Sequence, residues 1–107
     1  MVSWIQLTDV SQLEELDRES YLSVGGVAIF KHSTRCSISS MALNRLEKAD
    51  STIPAYFLDL LSFRGISNEI SARYQVEHES PQLIIIKDKK AVFHTSHHMI
   101  RAEQLML

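Results

Sequence analysis

Cys36 is the only cysteine in the chain, in the run Phe30-Lys31-His32-Ser33-Thr34-Arg35-Cys36-Ser37-Ile38-Ser39, where a strand-like apolar pattern gives way to a helical one. A thiol at such a junction meets the positive end of a helix, which favours the nucleophilic thiolate form. Ser39 stands three residues further on, where a two-cysteine redox motif would carry its second sulfur. An alcohol cannot form a disulfide, but its hydroxyl can hydrogen-bond a neighbouring thiolate. Lys31, His32 and Arg35 are close in sequence and add an electropositive setting. Together these residues describe one-thiol redox chemistry, in which the thiolate attacks a disulfide brought by another molecule. Within these residues one cysteine leaves no internal disulfide and no Cys-rich zinc site. An inert buried cysteine is the competing reading, and the polar residues on both sides of Cys36 count against it.

Two other constellations carry less. His94, His97 and His98 include a common zinc ligand type, but His-x-x-His-His alone does not supply tetrahedral geometry, so no metal site is expected. His32 with Cys36 could be cast as a protease-like dyad, yet the chain is short for that chemistry and offers no oxyanion-hole motif. The cluster Met99, Leu105, Met106 and Leu107 reads as core packing.

The elements that must position Cys36 follow from the changing period of the apolar residues, which alternates between helix and strand as an α/β domain requires. Asp9 or Ser11 can cap a first helix through about Leu22, and Gly25-Gly26 break the chain. Val27 to Phe30 reads as a buried strand. Ile38, Met41, Ala42 and Leu46 mark a helix from Ser37 to Lys48, followed by a second strand from Ala55 to Asp59. Ser67 is placed to cap a helix from Asn68 to Tyr74. Leu83 to Ile86 and Ala91 to His94, joined by a tight turn at Asp88-Lys89, predict a hairpin. A helix from Met99 to Met106 is expected to close the chain.

Length and charge bound the rest. A chain of 107 residues with ordinary apolar content fits a single domain over 1–107. A net charge of −2 without charged blocks lacks the basic footprint of a nucleic-acid binder. The N-terminal residues lack a secretory pattern, and no run approaches the roughly 20 apolar residues that span a bilayer. The expectation is a cytoplasmic monomer with neither membrane nor nucleic acid as partner.

The order of elements, a cysteine after the first core strand and Pro81 before the hairpin match the thioredoxin-like arrangement: α/β, with a central mixed four-stranded sheet flanked by helices. Over nearly its whole length the sequence resembles the monothiol bacilliredoxin family, thioredoxin-like proteins of bacteria that use bacillithiol. The segments carrying the resemblance are Phe30 to Ser39, Arg64-Gly65-Ile66-Ser67-Asn68, His78-Glu79-Ser80-Pro81-Gln82, and Ser96-His97. The resemblance implies a thiol–disulfide oxidoreductase that removes bacillithiol from S-bacillithiolated proteins, with Cys36 as nucleophile and Ser39 beside it. No bound cofactor is implied; bacillithiol, a low-molecular-weight thiol, is the co-substrate. It also implies a cis Ser80–Pro81 bond, which would turn the Ser80 backbone toward the thiol. Lys31, His32, Thr34, Arg35, Ser37, Arg64, Ser80, Pro81 and Gln82 are the residues expected to bind the thiol substrate, with Arg64 suited to its carboxylates. The family usually has proline directly after the cysteine, where this chain has Ser37; His98 replaces a family tryptophan, and Phe93 fills the aromatic position near the end of the hairpin. Two alternatives stay open. One is a monothiol glutaredoxin-like iron–sulfur carrier, a family that favours glycine where Ser37 stands. The other is a thioredoxin-fold interaction module without turnover.

Overall fold

A computed structural model of the chain describes residues 1–106. Its elements are β1 (Trp4–Gln6), α1 (Gln12–Leu22), β2 (Val27–His32), α2 (Ser37–Glu47), β3 (Ala55–Asp59), α3 (Arg64–Tyr74), β4 (Gln82–Lys87) and β5 (Lys90–Ser96), then two 3-10 turns at His97–Met99 and Ala102–Leu105. The strands form one mixed sheet in the order β1-β3-β2-β4-β5. β1, β3 and β2 run parallel, while β4 is antiparallel to both β2 and β5.

The sheet has five strands, not the four expected, because Trp4–Gln6 pairs with Ala55–Phe57 at one edge. Three residues are too few to show a periodic pattern. The expected closing helix is instead two short 3-10 turns, held to α2 where Arg45 donates through Nε to Ile100 O (2.9 Å) and through its guanidinium to His97 O (3.1 Å). Leu105 is buried there, Met99 and Met106 are exposed, and Leu107 lies outside the described residues. Helix α3 begins at Arg64, four residues earlier than the expected Asn68. Ser67 therefore lies inside the helix and is buried, and it is not a cap.

Strand alternation divides β2 between two cores. Val27 and Ile29 pack with Leu13 and Leu16 of α1 and Ile66 and Ile70 of α3. Ala28 and Phe30 pack with Ala42 and Leu46 of α2 and with Ile100 and Leu105 of the closing turns. Every residue of β2 is buried, so the strand is anchored on both faces up to the point where it delivers Cys36. Gly26, just before β2, has φ +83°, and a Cβ there would stand 2.4 Å from Ile86 O; only glycine meets both conditions. The hairpin turn places Asp88 and Lys89 at φ 52° and 64°. Ser20 of α1 holds that turn, accepting the Lys89 N–H on its hydroxyl (2.9 Å) and the Asp88 N–H on its carbonyl (3.1 Å).

Candidate functional site

Cys36 is the N-cap residue of α2, with an extended backbone (φ −112°, ψ 120°), a free thiol and partial exposure. Its N–H donates to Ser33 O (3.2 Å) and its carbonyl accepts the Ser40 N–H (3.1 Å), so a turn and the first helical bond fix the residue between β2 and α2. The opening N–H groups of a helix have no intrahelical acceptor, and this end of α2 is the positive one. Thr34, Arg35 and Ser37 are exposed around the thiol.

Ser39 is fully buried, and its hydroxyl is committed elsewhere than the sequence suggested. Its oxygen accepts the Ser33 N–H at 3.0 Å and lies 2.7 Å from His32 Nδ1. Among the described residues the Cys36 sulfur has no hydrogen bond, so Ser39 fastens the strand end to the first turn of α2 and does not touch the thiol. His32 itself is buried, stacked on Phe30 (5.9 Å between ring centres) and tilted against Phe57 (5.4 Å) at the end of an aromatic row that includes Trp4. Burial lowers its pKa below the ordinary histidine value, opposed by the carboxylates of Asp59 and Glu47 and by a hydrogen bond to the backbone of Ser39. A substrate-binding role for the ring conflicts with that burial.

Lys31 points the other way. Its neighbours in register are Leu58 and Gln82, and its Nζ lies 3.3 Å from Ser67 O, 3.2 Å from Ser71 Oγ and 3.3 Å from His78 Nδ1. The side chain is fully buried, and that desolvation pushes its pKa down to about 8. Lys31 and His32 are adjacent in sequence, yet the pleat sends them to opposite faces of the sheet, and the expectation that Lys31 contacts substrate is corrected. Gln82 is likewise buried: its Nε2 donates to Glu77 O (2.9 Å) and its Oε1 accepts the Glu79 N–H (3.4 Å), so it shapes the segment before the hairpin and is not exposed to substrate.

The Ser80–Pro81 bond is cis. Pro81 is buried, its carbonyl accepts the His97 N–H (3.2 Å), and the Ser80 hydroxyl is buried without a protein partner. Arg64, the first residue of α3, is exposed and lines a cleft with Thr8, Asp9 and Val10 that does not include Cys36. Among the described residues no three His, Cys, Asp or Glu side chains converge to hold a metal ion. Sequence reasoning overlooked Asp59, which faces His32 across the β2–β3 register and has one buried carboxylate oxygen without a partner. It also did not join His78, Ser67 and Ser71 to Lys31. Both relationships depend on strand register and helix packing, which no local motif encodes.

A β-sheet of this topology, helices on both faces, one thiol at the N-cap of α2 and a cis proline opening β4 define a thioredoxin-fold protein with a single redox-capable cysteine. The sequence model described as Monothiol bacilliredoxin BrxC matches residues 5–105, and the chain belongs to that thiol-oxidoreductase family. Among solved structures, one described as a proposed oxidoreductase with a thioredoxin fold is 28% identical, over 94% of this chain and 88% of that one, with a TM-score of 0.81. Thioredoxin of Malassezia sympodialis is 17% identical over 91% of this chain and 81% of its own, with a TM-score of 0.67. Thioredoxin of Trypanosoma brucei brucei is 17% identical over 95% and 81%, with a TM-score of 0.65. The two thioredoxins share the fold. No helix among the described residues is long and apolar enough to cross a membrane.

Proposed function

We propose that this protein is a cytoplasmic monothiol oxidoreductase that removes bacillithiol from mixed disulfides on other proteins. The Cys36 thiolate attacks the bacillithiol sulfur of protein–S–S–bacillithiol; the new S–S bond forms on Cys36, the old one breaks, and the protein thiolate leaves and takes a proton from water. A second molecule of the small thiol then attacks the Cys36 mixed disulfide, leaving as the symmetrical small-thiol disulfide and restoring Cys36. Ser39 cannot resolve the intermediate, so the cycle depends on that external thiol. The observation that carries this reading is the partly exposed, unpartnered thiol of Cys36 at the N-cap of α2 in a chain of the monothiol bacilliredoxin family.

The substrate groups have candidate partners. The Ser80 backbone offers an N–H and a carbonyl to the amide of the incoming small thiol. Thr34, Arg35 and Ser37 form the exposed rim for its sugar, and Arg64 offers a bidentate fork to its carboxylates. Bacillithiol is co-substrate and S-bacillithiolated proteins are the partners, the protein acting as a monomer. Intact-mass analysis of the reduced protein, mixed with a test protein loaded with bacillithiol and in parallel with one loaded with glutathione, decides the matter. Transfer of bacillithiol to Cys36 with little transfer of glutathione supports the proposal. Transfer of neither points to an interaction module without turnover.

A further inference from the structure

We infer that Lys31 is a positioning residue: its buried ammonium fixes the tautomer of His78, and through that ring ties the segment 75–81, which carries Ser80 and Pro81, to β2 and α3.

An ammonium has three N–H donors and no acceptor, and buried it requires three acceptors around it. Lys31 has them in Ser67 O, Ser71 Oγ and His78 Nδ1, the first two from α3 and the third from the segment 75–81. Among the described residues no carboxylate pairs with it. While Lys31 is charged, the 3.3 Å contact works only if Nδ1 of His78 carries a lone pair, so the ring is neutral with its proton on Nε2. Protonating Nδ1 would set an N–H against the ammonium.

The other charged groups facing His78 are Arg64 from α3, which opposes a second positive charge, and Glu79 from its own segment, which favours one. Burial and the two cations prevail, and the His78 pKa lies below the ordinary value. Ser67 Oγ, also 3.3 Å from Nδ1, can donate to the same lone pair but cannot by itself exclude the other tautomer, because a hydroxyl also accepts. The rest of the segment is held from the next strand, where Gln82 takes Glu77 O and the Glu79 N–H. Lys31 thus acts on the substrate-facing backbone of Ser80 through His78, without reaching substrate itself.

The test is imidazole-ring nitrogen NMR of the folded full chain across the neutral pH range. In the wild type, His78 should show an unprotonated Nδ1 and a protonated Nε2 and should titrate below the ordinary histidine value. Lys31→Met should weaken the tautomer preference, with a measurable share of rings protonated on Nδ1, and raise the midpoint, and Ser67→Ala should keep the wild-type pattern. A proton on Nδ1 in the neutral wild type, an unchanged ring in Lys31→Met, or loss of the pattern in Ser67→Ala would each overturn the inference. If Lys31→Met fails to fold, the wild type decides it: raising the pH through about 8 discharges Lys31 and should shift the His78 ring nitrogens toward a mixed tautomer, and a ring unchanged across that range would overturn the inference. The effect on turnover, a several-fold rise in KM for the bacillithiol-loaded substrate in Lys31→Met, rests on the thiol-exchange reading. The ring tautomer does not, so a protein that exchanges no disulfide but shows the expected His78 spectrum fails that reading alone.

Discussion

His32 Nδ1 lies 2.7 Å from Ser39 Oγ, and the same oxygen accepts the Ser33 N–H at 3.0 Å. One oxygen thus meets the imidazole at the strand end and the N–H of the next residue at once. The bond joins the last residue of β2 to the first turn of α2, and Cys36 sits in the loop so closed. The Ser39 hydroxyl braces the strand.

Ser39→Ala is therefore expected to act first on stability. It leaves His32 Nδ1 and the Ser33 N–H without a partner in a buried setting, at about 1–3 kcal/mol for the lost bonds. Urea denaturation of the two proteins measures the difference. A stability equal to wild type would mean that the His32–Ser39 bond does not form in solution.

The burial of that imidazole gives the protein an acid-side pH dependence. Burial lowers the His32 pKa below its ordinary value of 6.5, so the unfolded chain binds the proton more readily than the folded one. The sign follows: stability from this group is complete above 6.5 and is lost as pH falls toward the folded value. His78 adds a contribution of the same sign. Urea midpoints at pH 7.5 and 5.5 should fall less in His32→Gln than in wild type, and an equal fall would remove His32 as the titrating group.

Lys31 gives a second dependence, on the alkaline side. Its folded pKa of about 8 lies below the ordinary 10.5, so the unfolded state binds more protons between those values and stability rises with pH across them. The difference is on the order of 3 kcal/mol. Relative to Lys31→Met, which has no such group, wild type should gain stability between pH 8 and 10.5. Parallel curves for the two proteins would contradict the burial of a charged Lys31.

The parts of this molecule legible in its sequence are those set by local pattern. Cys36 at a strand-to-helix junction, the Asp88-Lys89 turn and the strands around Ile29, Tyr56 and Ile84 all announce themselves within a few residues. The edge strand at Trp4–Gln6 did not, because its pairing with β3 is a long-range relationship. The start of α3 was missed because Ser67 offers a good cap, whereas tertiary packing of Ile66 and Ile70 extends the helix back to Arg64. At the site, adjacency in sequence suggested that Lys31 and His32 serve one surface. The pleat separates them, and only the fold shows which face each enters.

Cys36→Ser should abolish transfer of a small thiol from a mixed disulfide, since no other sulfur nucleophile exists in the chain apart from methionine thioethers, which do not exchange. Intact mass after incubation with a loaded test protein reads this directly, and an adduct on the variant would sink the mechanism.

Ser37→Pro tests how closely the site follows the family pattern. Ser37 is the first helical residue of α2, where proline is well tolerated because that N–H has no intrahelical acceptor. Its N–H makes no hydrogen bond among the described residues, and Cys36 before it already has the extended backbone (φ −112°, ψ 120°) that proline imposes on its predecessor. Proline there should lower the entropy of the unfolded chain and stabilise the protein by about 0.4–1 kcal/mol. Urea denaturation of the variant checks the gain. A loss instead would mean that the Ser37 N–H holds a partner in solution.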